Sequence, residues 1–495
     1  MLPDNVLLEI FKFYVNEATR TQEWHVLVHV CCKWRNVVLA SPRRLDLRLL
    51  CTTRTPVREG LVIWPAFPIA LTGSVDRNSL VEVSDNIMAA LEHKDRVYHI
   101  DLKQIPNSLL KALAAALVGP FPALKDVALQ VESNHKMEAV LPNALLGGSA
   151  PRLQTLRLFG ISFPAIPKLL LSAPDLVSLQ LWDIPHSAYF SPDDMVTCLS
   201  ILMRLNVFHL GFRSPLSRTD QATPRLLSPA RVVLPVLSAL EFKGVSEYFE
   251  DLAAKIDAPR LNTLFIFFFN QLIFDTPQLV QFICRTDELN LKAPNRADVF
   301  FHDDFVKFSL FPQAQTTNCR RLEIVLESKV SEWQLSSVAQ VCNSFLFPLS
   351  ALETLSIYDS KSVSRFTFRS PWYQGMDSTQ WLELLHPFNA MKNLYLSNGL
   401  VQHVLPALHC HDEEAGITEV LPALQNLLIE DFDPYPPWIP VTKEIREFVD
   451  ARVLYGHPIS VYPWLVFGES GFFNMHINMF LKILHRGGRT PQLAS

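Results

Sequence analysis

The stretch Pro151-Arg152-Leu153-Gln154-Thr155-Leu156-Arg157-Leu158 decides the fold. Its apolar residues follow the spacing Leu-x-x-Leu-x-Leu behind a proline. The same frame returns as Pro122-Ala123-Leu124-Lys125-Asp126-Val127-Ala128-Leu129 and as Pro174-Asp175-Leu176-Val177-Ser178-Leu179-Gln180-Leu181. Further copies run from Leu205 to Leu210, Pro235 to Phe242, Pro259 to Ile266, Leu352 to Ile357 and Pro422 to Ile429. Leu289-Asn290-Leu291, Leu322-Glu323-Ile324 and Leu394-Tyr395-Leu396 keep the end of the frame, and Val97 to Leu102 is a weaker first copy. Anchored at the first apolar position, the copies begin at 97, 124, 153, 176, 205, 237, 261, 286, 319, 352, 391 and 424. One match to so loose a pattern is chance, but twelve in order are a repeat.

Spacings of 23 to 39 residues cluster near the 20–29 expected of leucine-rich repeats. Strand side chains alternate between faces, so the two leucines of Leu-x-Leu point inward and their neighbours outward. One such unit cannot bury its apolar face, and stacked neighbours supply a continuous core. The leading proline suits a strand start, where no ladder donor is required. Ile166 to Leu171 and Trp333 to Leu346 read as return helices. A doubly wound enzyme would show continuous apolar strands and glycine-rich turns. Here the strands alternate and only 16 glycines are present. The expected class is α/β: a solenoid over 95–430, with parallel strands on its concave face and helices or loops on its convex face. Residues 49–94 read as linker and N-terminal cap, and 431–495 as a C-terminal cap, with a short helix over Lys443 to Arg452 and a last strand over Ile459 to Phe467.

Composition narrows the function. With 44 Lys+Arg against 49 Asp+Glu, the net charge of −5 offers no basic field for nucleic acid. Neither G-x-G-x-x-G nor G-x-x-x-x-G-K-[ST] occurs. Eight cysteines without a C-x-x-C pair support neither a disulfide scaffold nor a zinc ribbon. Apolar runs such as Leu264 to Phe269 are far short of the ~20 residues of a membrane span, and no signal peptide opens the chain. These readings lead to the expectation of a soluble protein of the cytoplasm or nucleus, with no metal, cofactor, nucleic-acid or membrane partner, and not an enzyme. His409-Cys410-His411-Asp412-Glu413-Glu414, Gly468 to Gly471, Cys31-Cys32 and Asp303-Asp304 beside His302 each lack the second element that chemistry requires.

Residues 1–48 have a different pattern. Pro3 suits a first helical turn. Val6, Leu7, Ile10, Phe11 and Tyr14 recur at three- and four-residue steps, an amphipathic helix. A second helical pattern runs through Trp24, Leu27, Val28, Cys31, Trp34, Arg35 and Val38 toward Ser41-Pro42, and Arg44 to Leu49 alternates like a short strand. Fifty residues cannot bury two such helices. Their spare apolar face calls for a partner or for the following domain.

Leu2-Pro3 with Leu7, Ile10 and Phe11, followed by Leu27-Val28, Val30-Cys31 and Trp34-Arg35, resembles the F-box motif. It departs from that motif in having Asn5 where Glu is frequent, a longer polar segment over Asn16 to Glu23, and Leu45 in place of a closing Trp. With the repeats, the chain is similar to the F-box proteins with irregular leucine-rich repeats that are numerous in mushroom-forming fungi. The resemblance implies the substrate-recognition subunit of an SCF-type (Skp–cullin–F-box) ubiquitin ligase. Such a subunit docks on a Skp-family linker protein, and through it on a cullin. The docking residues expected are Leu2, Pro3, Leu7, Leu8, Ile10, Phe11, Val30, Cys31 and Trp34. The protein substrate, of unknown identity, is expected on the outward strand residues: Arg157, Phe159, Gln180, Trp182, His209, Glu241, Lys243, Phe265, Phe267, Asn290, Lys292, Glu323, Tyr358 and Tyr395. The alternative is a repeat scaffold outside any ligase, whose N-terminal helices only cap the solenoid.

Overall fold

Each repeat opens on a tight turn, and the turn explains the proline. The backbone N–H of Leu153 bonds the carbonyl of Ala150 at 3.1 Å, enclosing Pro151 and Arg152. Leu124 bonds Phe121, Leu176 bonds Ala173, Leu261 bonds Ala258 and Leu424 bonds Leu421 in the same way, at 3.1–3.2 Å. Proline at the second position of such a turn already has the required φ. Leu205, Leu352 and Met391 make the same bond without a proline. The residue before the turn is buried each time, so the frame is longer than Leu-x-x-Leu-x-Leu by one apolar position.

A second bond fixes the register between repeats. The carbonyl of Lys125 accepts from Gln154 N and Thr155 N, at 2.7 and 3.0 Å. Gln154 does the same for Val177 and Ser178, and Lys392 for Gln425 and Asn426.

The computed structural model describes residues 2–17, 24–42, 44–54, 57–64, 66–75, 80–132, 139–215, 231–269, 276–286, 289, 295–311, 321–328, 330–344, 349–360, 378–408, 420–430 and 443–464. They form two compact units, residues 1–190 with 197–207 and residues 191–196 with 208–495. Both mix helix and strand, and both are built on a sheet of mainly parallel strands.

The first unit begins with helices α1 (Asp4–Glu17), α2 (Trp24–Val30) and α3 (Cys32–Ala40). Strands β1 (Leu49–Thr52), β2 (Ile69–Ser74), β3 (Val97–Ile105), β4 (Asp126–Val131), β5 (Thr155–Phe159) and β6 (Ser178–Ile184) follow, each paired in parallel with the next. Helices α4 (Val57–Ile63), α5 (Leu80–Leu91), α6 (Asn107–Ala116) and α7 (Ile166–Leu170) lie on the connections. One inward row reads Leu71, Ile100, Val127, Leu156, Leu179, and the next Leu102, Leu129, Leu158, Leu181. Every member is buried.

Two expectations change here. Arg44 to Arg48 is not a strand, and β1 begins only at Leu49. Leu45 N and Leu47 N bond back to the carbonyls of Ser41 and Pro42, and Asp46 turns the chain at φ 51°. Residues 49–94 are also more than a linker and cap, because β1 and β2 bring the sheet's start back to Leu49.

The second unit holds β7 (Val207–Phe212) from Phe208 onward, β8 (Ala239–Gly244), β9 (Thr263–Phe268), β10 (Arg296–His302), β11 (Phe305–Phe311), β12 (Arg321–Glu327), β13 (Thr354–Asp359), β14 (Asn393–Leu396), β15 (Asn426–Glu430) and β16 (Ser460–Trp464). Its helices are α8 (Ser246–Ala253), α9 (Pro277–Arg285), α10 (Ser331–Ser344), α11 (Ser378–Leu385), α12 (Asn398–Leu408) and α13 (Lys443–Leu454). The strands lie in the order β7-β8-β9-β12-β11-β10-β13-β14-β15-β16. Of the copy anchored at 286, the described residues Thr286 and Leu289 do not lie in a strand. Thr286 ends α9, its hydroxyl bonded to the Phe282 carbonyl at 2.8 Å, and 290–294 lie outside the described residues. A hairpin, β10–β11, stands in the array instead, antiparallel within itself and against β12. The expected return helix is α10, and the expected tail helix and last strand are α13 and β16.

Glu250 links two repeats. Its carboxylate oxygens accept the first N–H groups of α9, from Gln278 and Leu279, both at 2.8 Å, where Thr276 offers no side-chain cap. Glu250→Ala leaves two buried donors unpaired at a positive helix end and should cost about 2–4 kcal/mol. Glu250→Gln should cost less, since one acceptor oxygen remains. Denaturant midpoints check this, and an unshifted Glu250→Ala midpoint would remove the cap from the account.

Candidate functional site

Helix α1 carries two apolar stripes where an ordinary surface helix has one. Leu7, Leu8 and Phe11 form the first and are buried, Phe11 against the Trp34 ring at 4.8 Å. Val6, Ile10, Phe13 and Tyr14 form the second and are exposed, Phe13 by 64%. Glu9 borders the exposed stripe on the polar side of the helix and pairs with Arg44 at 2.5 Å. Leu2 continues the exposed stripe. Its carbonyl accepts from Lys33 Nζ at 2.8 Å, and the same ammonium reaches Asp4 at 3.3 Å.

The second helical pattern is two helices, not one. Cys31 is extended, at φ −160° and ψ 166°, and separates α2 from α3. Arg35 spans the break, its backbone N–H on the Cys31 carbonyl and its Nε on the Val28 carbonyl, both at 3.0 Å. The break leaves Val26 and Val30 exposed on one side of α2, while Trp24, Leu27 and Val28 are buried on the other. Trp24 attaches the helices to the first strands. Its indole N–H donates to the Arg48 carbonyl at 3.0 Å, and its ring meets Trp64 and Phe67 at 5.2 and 5.4 Å.

Of the expected docking residues, Leu2, Pro3, Ile10, Val30 and Cys31 are exposed and Trp34 is half-buried. Leu7, Leu8 and Phe11 are spent on the helices' own core and present no surface. Val6, Phe13, Tyr14 and Val26 are the exposed apolar residues that the motif did not single out. Their three- and four-residue spacing was the available signal.

The outward face of the first unit's sheet is open. Row by row it reads His99, Asp126, Thr155, Ser178, then Asp101, Ala128, Arg157, Gln180, then Gln130, Phe159, Trp182. Arg157 is exposed; Phe159, Gln180 and Trp182 are half-buried. His99 Nδ1 stands 3.5 Å from Asp126, and this hydrogen bond is the main cause holding the Asp126 carboxyl below its ordinary value.

The second unit has the same alternation but a more deeply buried face. In register across it run Glu241, Phe265, Glu323, Ser309, Asp298, Ser356 and Tyr395. Beside that row run Lys243, Phe267, Val325, Lys307, Phe300 and Tyr358. Lys243, Phe267 and Glu323 were expected on an open wall and are buried, as are Asp298 and Lys307. His209, Glu241, Phe265, Tyr358 and Tyr395 are half-buried, and Asn290 and Lys292 lie outside the described residues.

Pairing accompanies this burial. Lys243 lies 5.1 and 5.3 Å from the Phe267 and Phe269 ring centroids. Lys307 stands 4.0 Å from Glu323, Arg296 grips Asp298 at 2.7 and 3.1 Å, and His209 is 3.5 Å from Glu241. The hairpin contributes Asp298, Phe300, Lys307 and Ser309, so reading the repeat frame alone missed them.

Other chemistry is sparse. Among the described residues no group of His, Cys, Asp and Glu could hold a metal ion, and no helix is long and apolar enough to cross a membrane. His302, Asp303 and Asp304 form the β10–β11 turn, with Asp304 N donating to His302 Nδ1 at 3.2 Å. The 409–414 and 468–471 segments lie outside the described residues.

No family model matches the chain, and no curated protein matches it. Among solved structures, the leucine-rich repeat-containing protein LegL7 from Legionella pneumophila is similar over 83% of this chain and 99% of that one, at 12% identity and a TM-score of 0.28.

Burial, with the Glu323 charge behind it, pushes the Glu241 carboxyl up to about 7 from an ordinary 4.5. Between these values the unfolded chain has released the proton and the folded chain keeps it, so stability falls as pH rises through the window. Glu241→Gln removes that loss. Its gain over the parent should be near zero below pH 4.5 and grow to on the order of 3 kcal/mol above pH 7. Melting points of both proteins across this range provide the check, and a difference independent of pH contradicts it.

Proposed function

We propose that the chain is the substrate-recognition subunit of an SCF-type ubiquitin ligase. The N-terminal helices dock on a Skp-family linker protein, which joins them to a cullin, and the repeats hold a protein substrate. The second apolar stripe of α1 carries this reading. Val6, Ile10, Phe13 and Tyr14 leave 39–64% of their surface in water, an apolar exposure that costs free energy. Val26 and Val30 on α2 add to the same kind of surface, and burying each such side chain is worth about 1.5–3 kcal/mol.

The mechanism is proximity. A substrate held on the repeats is kept at high effective concentration near the conjugating enzyme that the partners bring. The chain itself supplies no catalytic group on this reading and works in the cytoplasm or nucleus. Arg157, Phe159, Gln180 and Trp182 form the part of the strand wall open to a substrate. Aromatic and arginine side chains are those most often central to protein interfaces.

Co-expression with a Skp-family linker protein tests the proposal. A stoichiometric complex is expected. Ile10→Asp and Phe13→Asp should each weaken it by roughly tenfold or more, with the melting point of the chain alone little changed, because both residues are exposed. Leu7→Asp, in contrast, should unfold the helices. A chain that stays alone beside the linker protein would favour the scaffold reading, in which these helices only cap the repeats.

A further inference from the structure

Trp24 ties the N-terminal helices to the strands that follow, and His25 is built into that tie. The Trp24 indole N–H holds the Arg48 carbonyl, one residue before β1, at 3.0 Å. Its ring, 2% exposed, meets Trp64 and Phe67. The His25 ring completes the cluster. It meets the Trp24 ring at 3.9 Å and 67°, and it stacks on Trp64, just past α4, at 4.9 Å and 10°. A titratable ring thus sits inside an aromatic contact.

Its surroundings decide which protonation state it accepts. Nε2 is out of contact with water and has no hydrogen-bond partner. Neutral histidine tolerates such a place, because the proton can sit on Nδ1 and leave only a lone pair at Nε2. The imidazolium does not, since both nitrogens then carry N–H groups and one of them is buried unmet. The charged groups nearby give no relief. His29, one turn further along α2, adds like charge when protonated. Arg48 turns its guanidinium to Asp46 and Tyr98. On α4, Arg58 pairs with Asp85 and Glu92, and Glu59 does not reach Nε2. The face of Trp64 offers a cation some attraction. Burial works against it and, with the His29 charge second, holds the His25 imidazole below its ordinary 6.5.

We propose that His25 is an acid-sensitive latch, whose protonation releases the N-terminal helices from the first strands. Above pH 6.5 the ring is neutral whether the contact is closed or open, and the latch has its full strength. Below 6.5 the open form binds a proton that the closed form refuses. Closure therefore weakens as pH falls, until the closed form's own lower value is reached. The latch is a property of the chain by itself and stands apart from any partner.

Hydrogen exchange of the full chain from about pH 7.5 to 5, corrected for intrinsic rates, tests it at the amides of α2 and β1. The local reading matters because Glu241 moves the stability of the other unit in the opposite direction over the same range. Protection in the parent should fall by up to about tenfold for each pH unit below 6.5. His25→Phe keeps a stacking ring and cannot titrate, so its protection should stay level. A parent whose protection does not change with pH overturns the proposal, as does an equal loss in His25→Phe. Titration of the His25 ring by NMR in the parent covers a variant that fails to fold. A value below 6.5 supports the latch, and a value at or above it overturns it.

Discussion

Register between neighbouring strands is the constraint on which the rest depends. A strand slipped by one residue exchanges its faces completely. In this chain two devices prevent the slip at every regular repeat: the closed turn before the first leucine, and the carbonyl that accepts two N–H groups from the next repeat. Together they hold Val127, Leu156 and Leu179 in one row and Leu129, Leu158 and Leu181 in the next. Asn426, Asn393 and Thr354 extend the alignment with side-chain hydrogen bonds of 2.8 and 3.5 Å. Once the inward rows are fixed, the outward rows have no freedom left, and any binding wall is determined with them.

Much of this was legible in the residues, and the failures have physical causes. The frame around Leu153 announces its strand because turn, proline and alternation agree. The return helices and the last strand followed from the same alternation of elements. β1 and β2 escaped notice because Leu49–Thr52 and Ile69–Ser74 are short and lack the full Leu-x-x-Leu-x-Leu frame. The β10–β11 hairpin escaped because a repeat frame assumes that the next strand is parallel, whereas Phe301-His302-Asp303-Asp304-Phe305 turns the chain straight back. Position 286 satisfied the spacing, yet helix α9 runs up to it.

The exposed face of the N-terminal helices shows a different limit. Helical spacing establishes that α1 has apolar residues on more than one side, but it cannot rank two stripes of similar hydrophobicity. Leu7, Leu8 and Phe11 look like the natural docking residues because they are large and evenly spaced. The fold uses them because Trp34 is there to meet them. What remains in water is the less regular stripe through Ile10 and Phe13. The extended residue at Cys31 has a similar effect: by splitting one helical pattern into two, it turns Val30 outward.

Burial of charge then separates the two units' strand walls. Removing carboxylates and ammonium groups from water is costly, and close pairing only partly compensates. The second unit accepts that cost at Asp298, Lys307 and Glu323, and Glu241 avoids it by holding its proton to about pH 7. Several groups of that wall are paired within it, Arg296 with Asp298, Lys307 with Glu323 and His209 with Glu241. The first unit's wall differs in the property that matters. Arg157 stands in water with Phe159 and Trp182 in the adjoining row, so charge and aromatic surface are both available without first breaking a buried pair. The same alternation thus leaves the outward rows half-buried in one unit and largely buried in the other, with ion pairs among the buried groups.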